Sequence, residues 1–267
     1  MNKLGFVGIA VAVLAVSGCG GGTSTTPATS TATPAPSATP GTLSVAYSDT
    51  FGVTGTAPTA LGFLAETETA TLTATQANYS GSFTAASSCA AVTVTPATST
   101  TGAFTATAVS PAATGCTITV TGATGTTAAT LAATVPTPGG VVLRWYLPNY
   151  ITQSPPVPQS ASPINLAGTG SLFASILAVT EQSYVGGLAS VAASGGCTGF
   201  ATVAANTTTP TGLPTAAPGN TLTYYTVTGT NAVSTTGGCN VTATDNQSTP
   251  SAASIAVEIT TTTGVFQ

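Results

Sequence analysis

Short runs rich in Val, Thr, Ile and Leu alternate with clusters of Gly, Pro, Asn and Ser from Thr42 to the end of the chain. Apolar and polar residues that alternate over such short runs are typical of strands separated by turns. Thr and Val are β-branched and suit a pleated sheet, whereas the helix formers Lys, Glu and Arg are nearly absent. The pattern therefore predicts an all-β fold.

Two segments of the chain look like copies of one pattern. Residues 72–83 (LTATQANYSGSF) align without a gap with residues 177–188 (LAVTEQSYVGGL), so that Leu, Tyr, Gly and a large apolar residue coincide. Each copy is followed by a Cys and then by a second Cys inside a strand-like run. A turn and a final strand, 128–135 or 253–260, close each copy as a hairpin. The same order occurring twice predicts two related units.

The boundary between the units is predicted at the Pro and Gly cluster 136–140 (PTPGG), where a strand could hardly continue. The units then cover residues 43–137 and 138–267, which is the size of an antiparallel sandwich. Their pattern resembles the Ig-like repeats of bacterial surface proteins and lipoproteins, where a Cys-x-Ile-x-Val run leads to the terminal hairpin. The resemblance implies two immunoglobulin-like antiparallel β-sandwiches in tandem. Residues 141–170 have no counterpart in the first copy beyond a possible opening strand.

The first eighteen residues have the pattern of a secretory signal peptide. Lys3 is followed by an apolar run over residues 4–16, which is too short to cross a bilayer as a helix. Val16-Ser17-Gly18-Cys19 then resembles the lipobox of bacterial lipoproteins. This resemblance implies cleavage before Cys19 and attachment of lipid to it, the alternative being an ordinary signal peptide with a chance Cys.

The segment after Cys19 is predicted to be a tether. Residues 19–42 comprise the lipidated Cys and a Gly, Ser, Thr, Pro and Ala sequence without a large apolar residue before Thr42. Such a segment cannot offset its ordering entropy, and in extended form it reaches roughly 70 Å. No further apolar stretch of spanning length follows, so we expect the chain to be anchored to a membrane without crossing it. By resemblance to lipoprotein sorting rules, Gly20 favours the outer membrane.

Charge excludes several classes of function. Charged residues make up 3% of the chain and His is absent; once Lys3 is removed, one Arg stands against six acids, and 1 − 6 gives a net charge of −5. Nucleic-acid binding is not expected without a basic surface. A hydrolase with a Ser-His or Ser-Lys pair needs His or Lys as its base, and the chain without Lys3 has neither, so catalysis of this kind is not expected. No phosphate-binding Gly motif is present, so no cofactor is expected either.

The acidic residues are the remaining candidates for catalysis by paired carboxylates. They are Asp49, Glu66, Glu68, Glu181, Asp245 and Glu258. Apart from Glu66 and Glu68 they are isolated in sequence, and we expect them to be solvated side chains on strand edges. Asp245-Asn246 could offer oxygens to calcium, although a hairpin turn explains the pair equally.

Four cysteines remain after Cys19, two in each copy. Three pairings are formally possible. We predict disulfides between Cys89 and Cys116 and between Cys197 and Cys239, because each pair is confined to one repeat. A zinc site is the rival, but the cysteines lack close Cys-x-x-Cys spacing and no His is available, so no metal is expected.

One aromatic cluster contains the only Trp and the only Arg of the mature chain. Period two places Val141, Leu143 and Trp145 on one face of a strand and Val142, Arg144 and Tyr146 on the other. An aromatic core strand explains the cluster. The functional alternative is a stacking surface of Trp145, Tyr146 and Tyr150 for a sugar or peptide, with Arg144 as donor. The pair Tyr224-Tyr225 is a weaker second candidate.

The sequence thus favours a non-enzymatic, lipid-anchored protein of the outer membrane or cell surface with a structural or adhesive role. Its expected partners are the membrane, through the lipid, and an extracellular protein or glycan. The alternative function is a carbohydrate- or peptide-binding accessory module that uses the aromatic cluster around Trp145.

Overall fold

The computed structural model describes residues 37–147, 155–170, 173–231 and 238–259. These residues contain eighteen strands and no α-helix, which confirms the all-β prediction. The first ten strands are β1 (Leu43–Asp49), β2 (Thr54–Thr56), β3 (Leu61–Gly62), β4 (Thr69–Gln76), β5 (Phe83–Ser87), β6 (Val92–Thr95), β7 (Thr98–Ser99), β8 (Ala103–Ala108), β9 (Ala112–Thr121) and β10 (Ala129–Val135). The other eight are β11 (Val142–Tyr146), β12 (Ile164–Leu166), β13 (Ser175–Glu181), β14 (Leu188–Gly195), β15 (Ala201–Ala205), β16 (Thr221–Gly229), β17 (Cys239–Asp245) and β18 (Ala252–Ile259).

Strands β1 to β10 form the first sandwich. One sheet has the order β2-β1-β4-β8-β6 and the other the order β3-β10-β9-β5-β7. All neighbours pair antiparallel except β3 and β10, which run parallel. Leu72 and Phe104 from one sheet and Ile118 and Leu131 from the other share one buried core. Alternation with period two produces this core. In strand β1, for example, Leu, Val and Tyr are buried and the Ser and Ala residues between them are exposed.

Strands β11 to β18 form the second sandwich. Its sheets have the orders β11-β13-β16-β15 and β12-β18-β17-β14, and β12 again pairs parallel with the last strand. Without the short strands β2 and β7, the first sandwich has the same order, so that β4 corresponds to β13 and β9 to β17. Apart from β2, β7 and the strands β3 and β12, which pair parallel with the last strand, each sandwich has sheets of four and three strands, as in the constant-type immunoglobulin domain. The chain is therefore built of tandem immunoglobulin-like β-sandwiches.

The repeated Tyr-x-Gly motif has one structural explanation in both copies. It follows β4 and β13, where Asn78 and Ser183 both adopt φ of 55° and turn the chain toward the next strand. The Tyr79 ring then lies over Gly81, where a Cβ atom would come within 2.5 Å of the Tyr79 hydroxyl. Tyr184 lies over Gly186 in the same way. Glycine is required two residues after the tyrosine because the ring occupies the space of a side chain.

The second sandwich carries an additional layer on one face. Residues 206–220 connect β15 to β16 and fold back over the outer face of the sheet that contains β11. Leu213 from this connection packs with Tyr146, Ala178 and Tyr224 in a small second core. The Tyr224 hydroxyl donates a hydrogen bond of 2.8 Å to the Pro214 carbonyl. Residues that alternation alone would expose are consequently buried here.

Candidate functional site

Arg144 lies on the outer face of the second sandwich, at the edge of a cavity of about 410 Å³. Val142 and Arg144 from β11, Thr180 and Glu181 from β13 and Asn220 before β16 contribute to its wall. The connection 206–220 closes one side with Ala216 and Ala217. The cavity thus combines one exposed guanidinium with one carboxyl group, which suits a small polar ligand.

The structure contradicts the predicted stacking surface. Trp145 is 5% exposed and lies in the core between the sheets, and its indole N–H donates a hydrogen bond of 2.9 Å to the Ala161 carbonyl. Tyr146 lies on the opposite face of β11, as period two predicts, but it is buried under the connection 206–220. Neither ring presents a face to a ligand, because each is covered by its own sandwich.

The other predicted site residues divide into two groups. Cys19 and Tyr150 lie outside the described residues, so lipidation and a ligand role for Tyr150 stay predictions. Tyr224 is buried beside Tyr146, with ring centroids 6.5 Å apart, and Tyr225 is partly buried against the main core. The second aromatic candidate is therefore part of the packing and not a surface patch.

The structure pairs Cys89 with Cys116 and Cys197 with Cys239, which are the pairs predicted from the sequence. Cys116 lies on β9 and Cys239 on the corresponding strand β17. Their partners follow β5 and β14, where the chain crosses from one sheet to the other. Each disulfide therefore links the segment that crosses between the sheets to a central strand of one sheet, and it does so at the same place in both sandwiches.

The expectation of solvated acids on strand edges is wrong for five of the six acidic residues. These five are Asp49, Glu66, Glu68, Glu181 and Asp245, and each is at most 7% exposed. They lie where the first sandwich meets the second. We call this contact the joint; it consists of Asp49 and residues 63–68 on the first sandwich and residues 181–185, 219–220 and 245–247 on the second.

Backbone hydrogen bonds hold the joint together. The Glu66 N–H donates to the Ser183 carbonyl at 3.0 Å, and the Val185 N–H donates to the Glu66 carbonyl at 3.3 Å. Gly219, at a φ of 78°, lies so close to Leu64 that a Cβ atom there would be 2.8 Å from the Leu64 Cβ. The two backbone hydrogen bonds pair Glu66 with Tyr184 in a short parallel β-bridge between the sandwiches.

Two carboxyl pairs flank this bridge. Glu68 accepts hydrogen bonds from the Leu64 N–H at 2.6 Å and the Ala65 N–H at 3.1 Å, and its carboxyl group lies close to that of Asp49. Glu181 accepts a hydrogen bond from the Gln247 amide and also contacts Asp245. Glu68 Oε1, Asp49 Oδ2 and Glu181 Oε2 are buried without a hydrogen-bond partner. A carboxylate cannot donate, so each pair is satisfied when one member carries a proton.

Burial is the main cause of raised pKa values in the joint. It raises the pKa of Glu181 from 4.5 to about 7, with the charges of Asp245 and Glu66 adding to the effect and the Gln247 hydrogen bond opposing it. Burial likewise raises the pKa of Glu66, helped by the charge of Asp245. The pKa of Glu68 is also raised by burial, against the backbone hydrogen bonds from Leu64 and Ala65.

The acidic groups of the joint do not form a metal centre in the structure. Among residues 37–147, 155–170, 173–231 and 238–259, no group of three or more Cys, Asp or Glu side chains is arranged to hold a metal ion. The Asp245 carboxylate instead accepts hydrogen bonds from the N–H groups of Gln247 at 3.1 Å and Ser251 at 3.0 Å. Both bonds reach Asp245 Oδ1, so the hairpin turn accounts for the position of this carboxylate.

The joint is the feature that sequence reasoning missed, although one signal pointed toward it. In the gapless alignment of the two copies, Glu181 occupies the position of Gln76. Gln76 bonds to the Gly41 carbonyl and the Ala123 N–H at the outer end of the first sandwich. Glu181 occupies the equivalent end of the second sandwich, where the first one docks.

Solved structures align with this chain only at low identity and low TM-score. No family model matches it, and no curated protein matches it. Domains 5–6 of the S-layer protein SbsC are 15% identical with a TM-score of 0.24, covering 76% of this chain and 94% of that one. A chimeric titin Z1Z2 is 10% identical with a TM-score of 0.30, covering 80% and 97%. The Yersinia pseudotuberculosis adhesin InvE is 17% identical with a TM-score of 0.26, covering 76% and 57%.

A search of the described residues for a helix long and apolar enough to span a bilayer finds none.

Proposed function

We propose that this chain is a non-enzymatic lipoprotein, anchored through Cys19, whose two immunoglobulin-like sandwiches serve a structural or adhesive role at the outer membrane or cell surface. The observation that carries the proposal is the location of the carboxyl groups. Five of its six carboxyl groups are buried in the joint, where Asp49, Glu68 and Asp245 accept hydrogen bonds from the backbone. The five groups line the contact between the two sandwiches, which backbone hydrogen bonds hold together.

The disulfides support a location outside the cytoplasm. Both bonds connect cysteines within one sandwich, and such bonds persist in oxidising compartments such as the periplasm and the cell surface. The sequence before them has the order of a surface lipoprotein: signal segment, lipobox, Pro-rich tether and folded part. A lipid with two or more acyl chains would hold that folded part at a bilayer stably.

Palmitate labelling tests the anchor directly. With the chain expressed behind its own signal segment in a bacterium that processes lipoproteins, we expect labelled palmitate on the wild type and none on Cys19→Ala. The variant should also move from the membrane fraction to the soluble exported fraction, because it loses the acyl chains. Ser24→Ala, which alters the tether just beyond the lipobox, is the matched control and should be labelled like the wild type.

The same strains test the adhesive role. Wild-type cells should bind a host-cell or abiotic surface more than cells with Cys19→Ala do, since only the former retain the protein. Absence of label on the wild type would overturn the anchor. Equal adherence of the two strains, with the wild type labelled, would leave the anchor standing and overturn adhesion in favour of a purely structural role.

One observation favours a second function, the binding of a carbohydrate or peptide. Arg144, the only cation of the mature chain, is exposed at the cavity that Glu181 and Asn220 also line. A carboxylate- or hydroxyl-bearing ligand could bond to the guanidinium. If this function holds, an array of acidic glycans and peptides should show binding that Arg144→Ala weakens at least tenfold and that Glu258→Gln leaves unchanged. A blank array would remove this alternative.

A further inference from the structure

The joint concentrates carboxyl groups without a matching cation. Glu181 on β13 faces Asp245 on β17 and Glu66 from the first sandwich. The charges of these three carboxyl groups also act on the phenol of Tyr184. The mature chain has no Lys and no His. Its only Arg, Arg144 on β11, lines the neighbouring cavity but is not among the groups that shift the pKa of Glu181 or Glu66.

Water is also largely excluded from these groups. Glu181, Asp245 and Tyr184 are each 1% exposed. Removing a carboxylate from water is costly unless it is paired with a cation or accepts enough hydrogen bonds. Asp245 accepts three, from two backbone N–H groups and the Gln247 amide. Glu181 accepts one and leaves Oε2 without a partner, so Glu181 is the member of the pair suited to hold a proton.

We propose that the joint is a pH-sensitive connection, in which a proton on the buried Glu181–Asp245 pair, next to Glu66, keeps the two sandwiches docked and its loss loosens them. When Glu181 is protonated, its O–H donates to a carboxylate oxygen of Asp245 and the pair carries one charge. When the proton leaves, two carboxylates face each other beside a third, and the Gln247 amide is the side-chain donor that the pair shares. Undocking relieves the repulsion, because it exposes the groups to water.

The direction of the effect follows from the pKa of Glu181. Burial raises this pKa to about 7 in the folded chain, whereas an exposed Glu titrates near 4.5. The docked state therefore binds the proton more tightly than the undocked state. Its stabilisation is complete below pH 4.5, and it is lost as the pH rises through about 7. The raised pKa of Glu66 acts in the same direction.

Hydrogen exchange at the joint tests the proposal on the full mature chain. The amides of Glu66 and Val185 are hydrogen-bonded across the joint, so their protection factors, corrected for intrinsic rates at each pH, report docking. In the wild type we expect these protection factors to fall roughly tenfold or more between pH 5 and pH 8.5. Amides at the other end of β4, around Gln76 at the outer end of the first sandwich, should change little. Glu181→Gln keeps the shape of the side chain and removes its titration, and it should remove most of the pH dependence, leaving the smaller part that Glu66 contributes.

Two further variants make the result decisive. Glu258→Gln alters the one acid outside the joint and should retain the full pH dependence. Gly219→Ala places a methyl group against Leu64 and should lower joint protection at both pH values, which shows that the readout detects undocking. Equal wild-type protection at pH 5 and pH 8.5 would overturn the proposal. So would a pH dependence that persists at full size in Glu181→Gln; should that variant not fold, Glu66→Gln, which is expected to reduce the dependence, decides instead.

Discussion

Replacing Cys197 and Cys239 together by Ala is expected to lower the free energy of unfolding of the second sandwich by roughly 2–5 kcal/mol. The bond closes a loop with a sequence separation of 42 residues, for which the loop-entropy relation gives about 4 kcal/mol. Both cysteines are buried, and Ala avoids adding a buried hydroxyl group, so the loss should come from the cross-link and the missing sulfurs.

Tryptophan fluorescence in a urea titration measures this loss. Trp145 is the only Trp and lies in the core of the second sandwich, so its emission reports the unfolding of that sandwich alone. The matched control is Cys89→Ala with Cys116→Ala, which removes the equivalent bond from the first sandwich. It should leave the fluorescence transition nearly in place while a circular dichroism transition moves. A fluorescence midpoint unchanged by loss of the Cys197–Cys239 bond would contradict the prediction.

The repeat is the part of the fold that the sequence reveals most fully. Aligning residues 72–83 with residues 177–188 places two turn residues with the same φ and two Tyr-over-Gly contacts in register. The strand orders of the two sandwiches then agree strand by strand. These features are local or depend on alternation with period two, so a single sequence carries them. The disulfide pairs follow for the same reason, because each lies within one copy.

Features that depend on how surfaces meet could not be read from the sequence. Tyr79 and Tyr184 occupy the same repeat position, yet Tyr79 is partly exposed and Tyr184 is buried in the joint. The joint is formed by contacts between residues more than 100 positions apart, such as Glu66 with Ser183. Sequence reasoning therefore assigned the acids to solvent, where carboxylates usually lie. In this chain hydroxyl groups dominate the polar surface, and the few carboxyl groups are placed inside.

The Arg144-Trp145-Tyr146 cluster shows the same limit on a smaller scale. Alternation assigns its faces correctly, with Trp145 toward the core and Tyr146 away from it. The burial of Tyr146 depends on the connection 206–220, a Pro- and Thr-rich segment that has no strand and no periodic pattern. Nothing in that segment predicts where Leu213 packs. Whether an aromatic residue on an outer face can bind a ligand thus depends on whether a loop covers it. The sequence does not specify the path of that loop.

Trp145→Ala is expected to destabilise the second sandwich by roughly 3–5 kcal/mol, because it leaves a large cavity in the core. It also removes the indole N–H that donates to the Ala161 carbonyl at 2.9 Å, so that oxygen loses its partner. Trp145→Phe retains most of the apolar contact and loses the hydrogen bond, and we expect a smaller loss of roughly 1–2 kcal/mol. Amide exchange in β17, compared with β9, measures both effects without the Trp signal.

Arg144→Ala is the matched control, because Arg144 is the preceding residue on the same strand but is exposed. An exposed side chain outside any ion pair typically contributes within about 0.5 kcal/mol, so the exchange of β17 should be unchanged. The contrast separates a core strand from a ligand platform: a platform would lose ligand binding on Trp145→Ala while keeping its stability. A Trp145→Ala protein as stable as the wild type would therefore refute the burial of the indole and restore the stacking surface.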